Sequence, residues 1–128
     1  MNPVLSPLEL AASLDELWSP RVLARVNDSL VKVARVQGEI VWHTHEGEDE
    51  LFLVLRGRLV IQLDSGDVVL EEGEMFTVPR GVRHRPVAEE ECLLLLVEPA
   101  TTRHTGEVIN ERTRSLEEQM RPLPGPSR

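Results

Sequence analysis

Residues 51–63 read Leu51-Phe52-Leu53-Val54-Leu55-Arg56-Gly57-Arg58-Leu59-Val60-Ile61-Gln62-Leu63. Two apolar runs, each too short for a stable helix, flank a glycine turn, which predicts strands over Leu51–Leu55 and Arg58–Leu63. The same grammar extends in both directions. Downstream, strands are predicted at Val68–Leu70, Met75–Val78, His84–Val87 and Cys92–Val97. Asp64-Ser65-Gly66, Glu72-Gly73-Glu74, Pro79-Arg80-Gly81 and Glu89-Glu90-Glu91 punctuate them. Upstream, Arg21–Val26 and Leu30–Val36 form a hairpin about Asn27-Asp28-Ser29, Gly38 breaks the run, and Glu39–His45 follows. Short strands about ten residues apart, with no helix between them, point to an all-β sandwich or barrel.

The flanks differ. Ser6-Pro7-Leu8-Glu9 carries a helix start, with Ser as N-cap and Pro in the first turn. Leu10, Leu14, Leu17 and Trp18 extend an apolar stripe that predicts a packing helix to about residue 17 or 18. After Pro99 the chain turns polar; Ser115–Met120 suits a short helix, and Arg121–Pro126 an extended or mobile tail. Leu51–Leu55 and Leu93–Val97 do not alternate, so each needs cover on both faces. The N-terminal helix, a second sheet or another subunit can supply it, and a homodimer is the natural expectation.

Length and charge narrow the function. The 128 residues suit one domain, and the formal net charge of −8 opposes binding to nucleic acid or to an anionic membrane. No stretch holds about 18 consecutive apolar residues, so a transmembrane helix is not expected. Met1-Asn2-Pro3 lacks the start of a signal peptide, and Cys92 as the one cysteine fits a reducing cytoplasm. Cys92 itself reads as a small core residue.

Of the four histidines, His43 and His45 flank Thr44 on a predicted strand, where alternation points both to one face. Imidazole and carboxylate are ordinary ligands of divalent transition metals, and Glu46, Glu48, Asp49 and Glu50 all lie within a few residues. Trp42 points opposite to His43 and reads as packing. His104 reads as an exposed loop residue, with a place near the mouth of the site as the alternative.

Gly38-x4-His43-x-His45-x4-Glu50-x6-Gly57 resembles the first motif of the cupins, and Gly73-x5-Pro79-x-Gly81-x2-His84 the second. The resemblance spans residues 36–98 and looks like a small single-domain cupin. Gly38 to His43 is one residue shorter than usual, and Ala88 stands where the second motif commonly ends in Asn. The resemblance implies a double-stranded β-helix (jelly-roll) barrel with a short N-terminal helix. Residues 1–20 would pack on the barrel, 21–100 would form it, and 101–128 would be an extension with a Pro-rich tail. Carried over position by position, it assigns His43, His45, Glu50 and His84 as ligands of one divalent ion (Ni, Fe, Mn or Zn), with Glu50 selected among the neighbouring carboxylates.

Strand parity sets Phe52 and Val54 on the face of Glu50 and Val41 on that of the histidines, and Met75 or Phe76, Val78, Pro86 and Leu94 or Leu96 complete an apolar pocket lining. The leading expectation is a metal-dependent enzyme acting on a small molecule, with dioxygenase-like oxidative cleavage ranked first. The alternatives are a non-catalytic metal- or small-ligand-binding cupin (sensor or storage) and a cupin isomerase or decarboxylase.

Overall fold

A computed structural model describes residues 3–106 and 108–124. Its strands are β1 (Arg21–Val26), β2 (Ser29–Glu39), β3 (Glu50–Arg56), β4 (Leu59–Leu63), β5 (Gly66–Leu70), β6 (Met75–Val78) and β7 (His84–Pro99). Two short helices, α1 (Pro7–Ala12) and α2 (Leu116–Gln119), flank them. All pairings between these strands are antiparallel. One run has the order β1-β2-β7-β3-β6, and β4 joins β5 to the first half of β7. The result is a jelly-roll barrel.

Alternation fills its interior. Ala34 and Val36 of β2, Phe52 and Val54 of β3, Leu59 and Ile61 of β4, and Leu94 and Leu96 of β7 point inward and form the main core. Leu and Val do most of this packing, as expected for a chain with two Trp, two Phe and no Tyr. The long β7 ties the two halves together. Its first residues pair with β4, from Val60↔Val87 to Leu63↔His84, and its later ones lie between β2 and β3.

β7 corrects the expected break at Glu89-Glu90-Glu91. Opposite that triplet the β2 register jumps from Val36↔Cys92 to Gly38↔Ala88, so the extra residues bulge out of an otherwise continuous strand. All three glutamates are exposed, which lets the ladder continue without burying a charge. Gly38 is likewise no break: it sits inside β2 at φ +82, on the opposite side of the same bulge. Residues 40–45, expected as a strand, run extended beyond β2, with an isolated bridge at His43.

The N-terminal helix is shorter than its apolar stripe implied. It ends at Ala12, where Ser13 Oγ donates to Leu10 O at 2.7 Å. Trp18 leaves the helical path at φ 55 and enters the barrel core, donating Nε1–H to Gln37 O at 2.9 Å. Burial of this large ring inside the barrel overrides the 3.6-residue periodicity. Leu17, by contrast, is left exposed. Ala11 and Leu14 pack on Val33 and Leu93, covering part of the barrel's outer face.

The C-terminal segment folds back over the barrel. Ser115 caps α2 through a reciprocal capping box with Glu118. Tail residues expected to be free are anchored: Arg21 donates to Pro122 O at 3.3 Å, and Leu123 packs against the α1 cluster. Gly125 and Pro126 lie outside the described residues. Among those described, no helix is long and apolar enough to cross a membrane.

Candidate metal centre

His43 and His84 are brought together by backbone pairing. His43 N–H donates to His84 O at 3.0 Å and His84 N–H to His43 O at 2.9 Å, so the two face each other across an antiparallel bridge. Such partners project to the same side. His45, two residues on, shares that side, and its carbonyl accepts from Gly81 N–H at 2.8 Å. Asp49 Oδ1 accepts from Arg80 N–H at 2.8 Å, fastening the loop that precedes Glu50 to the Pro79–Gly81 turn. These clasps deliver Glu50 at the head of β3.

The four side chains are buried, and one potential ligand atom from each lies within 4.8 Å of the others. Glu50 Oε1 is 3.5 Å from His45 Nε2 and 3.4 Å from His84 Nε2. Of the other acidic residues in the loop, Glu46 is exposed and Asp49 is spent on the turn.

The nitrogen assignments test whether a metal fits. His43 Nδ1 lies 2.7 Å from Val41 O and His84 Nδ1 2.9 Å from Val82 O. A carbonyl can only accept, so both rings carry hydrogen on Nδ1 and leave a lone pair on Nε2. Nε2 of His43, His45 and His84 is buried without a hydrogen-bond partner among the described residues. Three orphaned lone pairs converging beside a carboxylate are costly unless a cation takes them. The residues fit a divalent transition metal. Burial and the neighbouring His84 push His43 down to about 4, so its ring stays neutral and able to ligate at physiological pH.

Behind the ligands lies a charged group that the sequence reading did not single out. Lys32 Nζ is 2.6 Å from Glu98 Oε1, with both side chains fully buried. Leu30 pairs with Glu98 and Lys32 with Leu96, while Leu51 pairs with Val97; continuing that register sets Glu98 beside Glu50 on the interior face. Burial and the Glu50 charge hold Glu98 well above the usual carboxylate range, against the pull of Lys32. Burial opposes charge on Glu50, yet the closeness of Glu98, His45 and His84 holds it well below that range. A 2.6 Å ion pair and an upward-shifted acid are compatible if the two carboxylates share one proton. Glu98 Oε1 accepts from Lys32, while Oε2 is buried with no hydrogen-bond partner among the described residues. The sequence signal was a Lys on the Leu30, Ala34, Val36 face and a Glu ending the Leu94, Leu96 row.

A cavity of about 40 Å³ reaches His43 and Glu50, and Phe52 and Pro86 are among its walls. Val54 and Val78 are core residues, while Val41 and Phe76 pack at the core's edge; none of the four borders this cavity. Met75 is corrected outright: it is 59% exposed, because its partner Leu53 lies on the outer parity of β3. Trp18 and Pro20 wall the cavity instead. Trp42 packs outside as expected, under the Arg83 and Arg85 guanidinium groups, with Arg83 4.4 Å from the ring centre.

His104 overturns its reading as an exposed residue. It is buried and lines the cavity together with His43 and Glu50, because residues 101–106 cross the barrel mouth. No local pattern announced this; the position follows from where the segment lands. Gly106 secures the landing: at φ +62, a Cβ there would meet Thr44 O at 2.4 Å. A polar cavity of about 190 Å³ between Thr44, His45, Glu48 and Arg103 borders the outer side of His45. The roomier groove of about 640 Å³ near Leu5, Val22 and Met120 is remote from these ligands and mainly aliphatic, so the small interior cavity is the candidate site.

Comparison with known proteins gives four consistent matches. The sequence profile of the cupin domain matches residues 30–98. The uncharacterized protein YdbB of Bacillus subtilis (strain 168) is 33% identical over 99 residues, covering 77% of this chain and 88% of that protein. A cupin-2 domain containing protein from Shewanella frigidimarina superposes with a TM-score of 0.73 at 41% identity, covering 75% of this chain and 94% of that one. A hydroquinone 1,2-dioxygenase from Sphingomonas sp. TTNP3, solved with 4-hydroxybenzoate bound, superposes with a TM-score of 0.61 at 20% identity. It covers 73% of this chain and 72% of that one, a likeness of fold.

Proposed function

The chain belongs to the cupin domain family, and on that premise we propose that it is a metal-dependent enzyme acting on a small molecule inside the barrel, with dioxygenase-type oxidative cleavage as its leading reaction. One observation carries the reading: three partnerless imidazole Nε2 atoms and the Glu50 carboxylate converge within 4.8 Å in a buried site. A nickel, iron, manganese or zinc ion held by His43, His45, Glu50 and His84 would act as a Lewis acid and, if redox-active, supply dioxygen chemistry. The dioxygenase ranking draws on this donor set, since the hydroquinone dioxygenase likeness concerns fold alone.

The protein's own groups prepare the site. Val41 and Val82 carbonyls fix the His43 and His84 tautomers. Glu98 beside Glu50 helps hold its carboxyl well below the usual range, and apolar side chains form most of the cavity wall. A non-catalytic ligand-binding cupin is the second reading, favoured by the small size of the cavity; an isomerase or decarboxylase is the third.

The test is elemental analysis of protein purified without an affinity tag, beside an oxygen-uptake screen over catechols, β-diketones and α-keto acids. Stoichiometric metal with oxygen consumption on one class supports the proposal. Metal without turnover favours the binding module, and absence of metal after reconstitution refutes both.

A cytoplasmic homodimer completes the reading. The lone Cys92 is buried, its thiol pushed up to about 12 mainly by burial, which suits a reducing compartment. Met75 and Val26 leave apolar surface for a second copy, since α1 covers only part of the outer sheet. Light scattering that returns a monomer at micromolar concentration would contradict the dimer.

A further inference from the structure

Lys32 and Glu98 form an ion pair of 2.6 Å in which neither side chain is exposed. Leu30, Ala34 and Val36 on β2, and Leu94 and Leu96 on β7, are the buried residues around them on the same strands. Apolar side chains of similar length in place of a buried ion pair are often no less stable, because desolvation consumes most of what the pair gains. Stability alone gives no reason for two charges here. Their place in the sheet supplies one.

Leu30 faces Glu98 and Lys32 faces Leu96, so Lys32 meets Glu98 along the diagonal between β2 and β7. On the other flank of β7, Leu51 faces Val97, and the next step of that register opposes Glu50 to Glu98. The neighbour of Glu50 on β6 is Val78, an apolar core residue. Lys32, Glu98 and Glu50 thus form a row across β2, β7 and β3. The row ends at the metal ligands, since Glu50 Oε1 is 3.5 Å from His45 Nε2 and 3.4 Å from His84 Nε2. A side chain that ligates a metal is kept in orientation by a partner behind it. For His43 and His84 those partners are the Val41 and Val82 carbonyls. For Glu50 the polar neighbour on the adjoining strand is Glu98, whose own Oε1 is tied to Lys32.

We propose that Glu98, tied down by Lys32, is a positioning residue for the metal centre, holding the Glu50 carboxylate so that Oε1 is presented to the ion. The inference rests on the metal-dependent reading above and deepens it by assigning a role to two residues outside the ligand set. Neither Lys32 nor Glu98 touches the metal in this scheme. Each acts through its neighbour in the row, and the pair is kept because it fixes a ligand.

The experiment uses full-length protein loaded with cobalt(II), followed through the cobalt absorption bands and through the rate at which EDTA strips the ion. Lys32→Met/Glu98→Leu replaces the pair by apolar side chains of similar length and so keeps the barrel packed. It is expected to lose cobalt about tenfold faster than the wild type, or more, with shifted bands. Glu98→Gln keeps the shape and an oxygen for Lys32, and is expected to keep the wild-type bands and most of the retention. A purely structural pair would move the melting temperature and leave the bands and the release rate of the folded protein unchanged.

Wild-type bands and release rate in the double variant overturn the proposal. So does a Glu98→Gln variant as leaky as the double variant, because charge and not placement would then be at work. In both cases the wild type still holds cobalt and the metal reading stands. A wild type that takes up no cobalt overturns both. Should the double variant fail to fold, Glu98→Asp decides, since it keeps the charge and draws the carboxyl back by one methylene. Faster release with shifted bands then supports the proposal, and wild-type behaviour overturns it.

Discussion

Replacing Lys32 by methionine isolates the ion pair behind the ligands. The side chain keeps much of its length and loses its charge, in a position with no exposure. At 2.6 Å from Glu98 Oε1, two full charges attract by roughly 6 kcal/mol at an effective dielectric constant of about 20. Desolvation offsets much of this, and a proton on Glu98 reduces it further. Loss of one partner from such a pair costs about 3–5 kcal/mol, because the other is left buried without compensation. Lys32→Met should therefore remove a large share of the stability of a domain this size, typically about 5–15 kcal/mol. Lys32→Met/Glu98→Leu should recover at least 2 kcal/mol of the loss, since an apolar pair leaves no stranded charge. Urea unfolding of metal-free protein, followed by tryptophan fluorescence, measures both, because Trp18 lies in the barrel core. A single-variant loss below about 1 kcal/mol, or a double variant as unstable as the sum of its singles, would refute the reasoning.

Three further outcomes are expected. His84→Ala removes one of the three converging Nε2 atoms and should weaken metal affinity at least tenfold; unchanged metal content by mass spectrometry would count against the ligand set. Gly106→Ala places a Cβ 2.4 Å from Thr44 O at φ +62, so it should cost about 1–3 kcal/mol and lower the melting temperature; an unchanged melting curve would show that the segment is not seated there. His104 is pushed from its ordinary 6.5 down to about 4. The neutral form is thus favoured by folding, and its contribution is complete above pH 6.5 and lost as pH falls toward 4. In metal-free protein the loss should approach 3 kcal/mol, and His104→Leu should flatten that part of the urea-midpoint profile. An identical profile in the variant would remove His104 as its source.

What could be read in advance was what short-range spacing encodes. His43, His45 and His84 were legible because an alternating segment and a Pro-Arg-Gly turn fix their facing locally, and the backbone bridge between His43 and His84 does the rest. Strand positions within 51–63 followed from the apolar runs and Gly57, whose Cβ would lie 2.8 Å from Glu91 O. Lys32 and Glu98 escaped notice because their meeting depends on the β2–β7 register, 66 residues apart in sequence. The length of α1 was misjudged because Trp18 gains more inside the barrel than on a helix. Met75 was misplaced by parity: its pairing with Leu53 sets it on the outer face. His104 carries no periodic or turn signal, and only the three-dimensional path of residues 101–106 assigns it to the cavity.

That path has a consequence for how the family's chemistry diversifies. The shared cupin profile ends at residue 98 and begins at residue 30, yet Trp18 and His104 both border the cavity. The part matched by the family profile carries His43, His45, Glu50 and His84, while Trp18 and His104 come from the segments on either side of it. Substitutions in those segments can reshape the cavity wall without touching the His43, His45, Glu50 and His84 cluster. A cupin built this way is a fixed socket with interchangeable jaws, and its relatives are best compared by the segments that lie outside the family match.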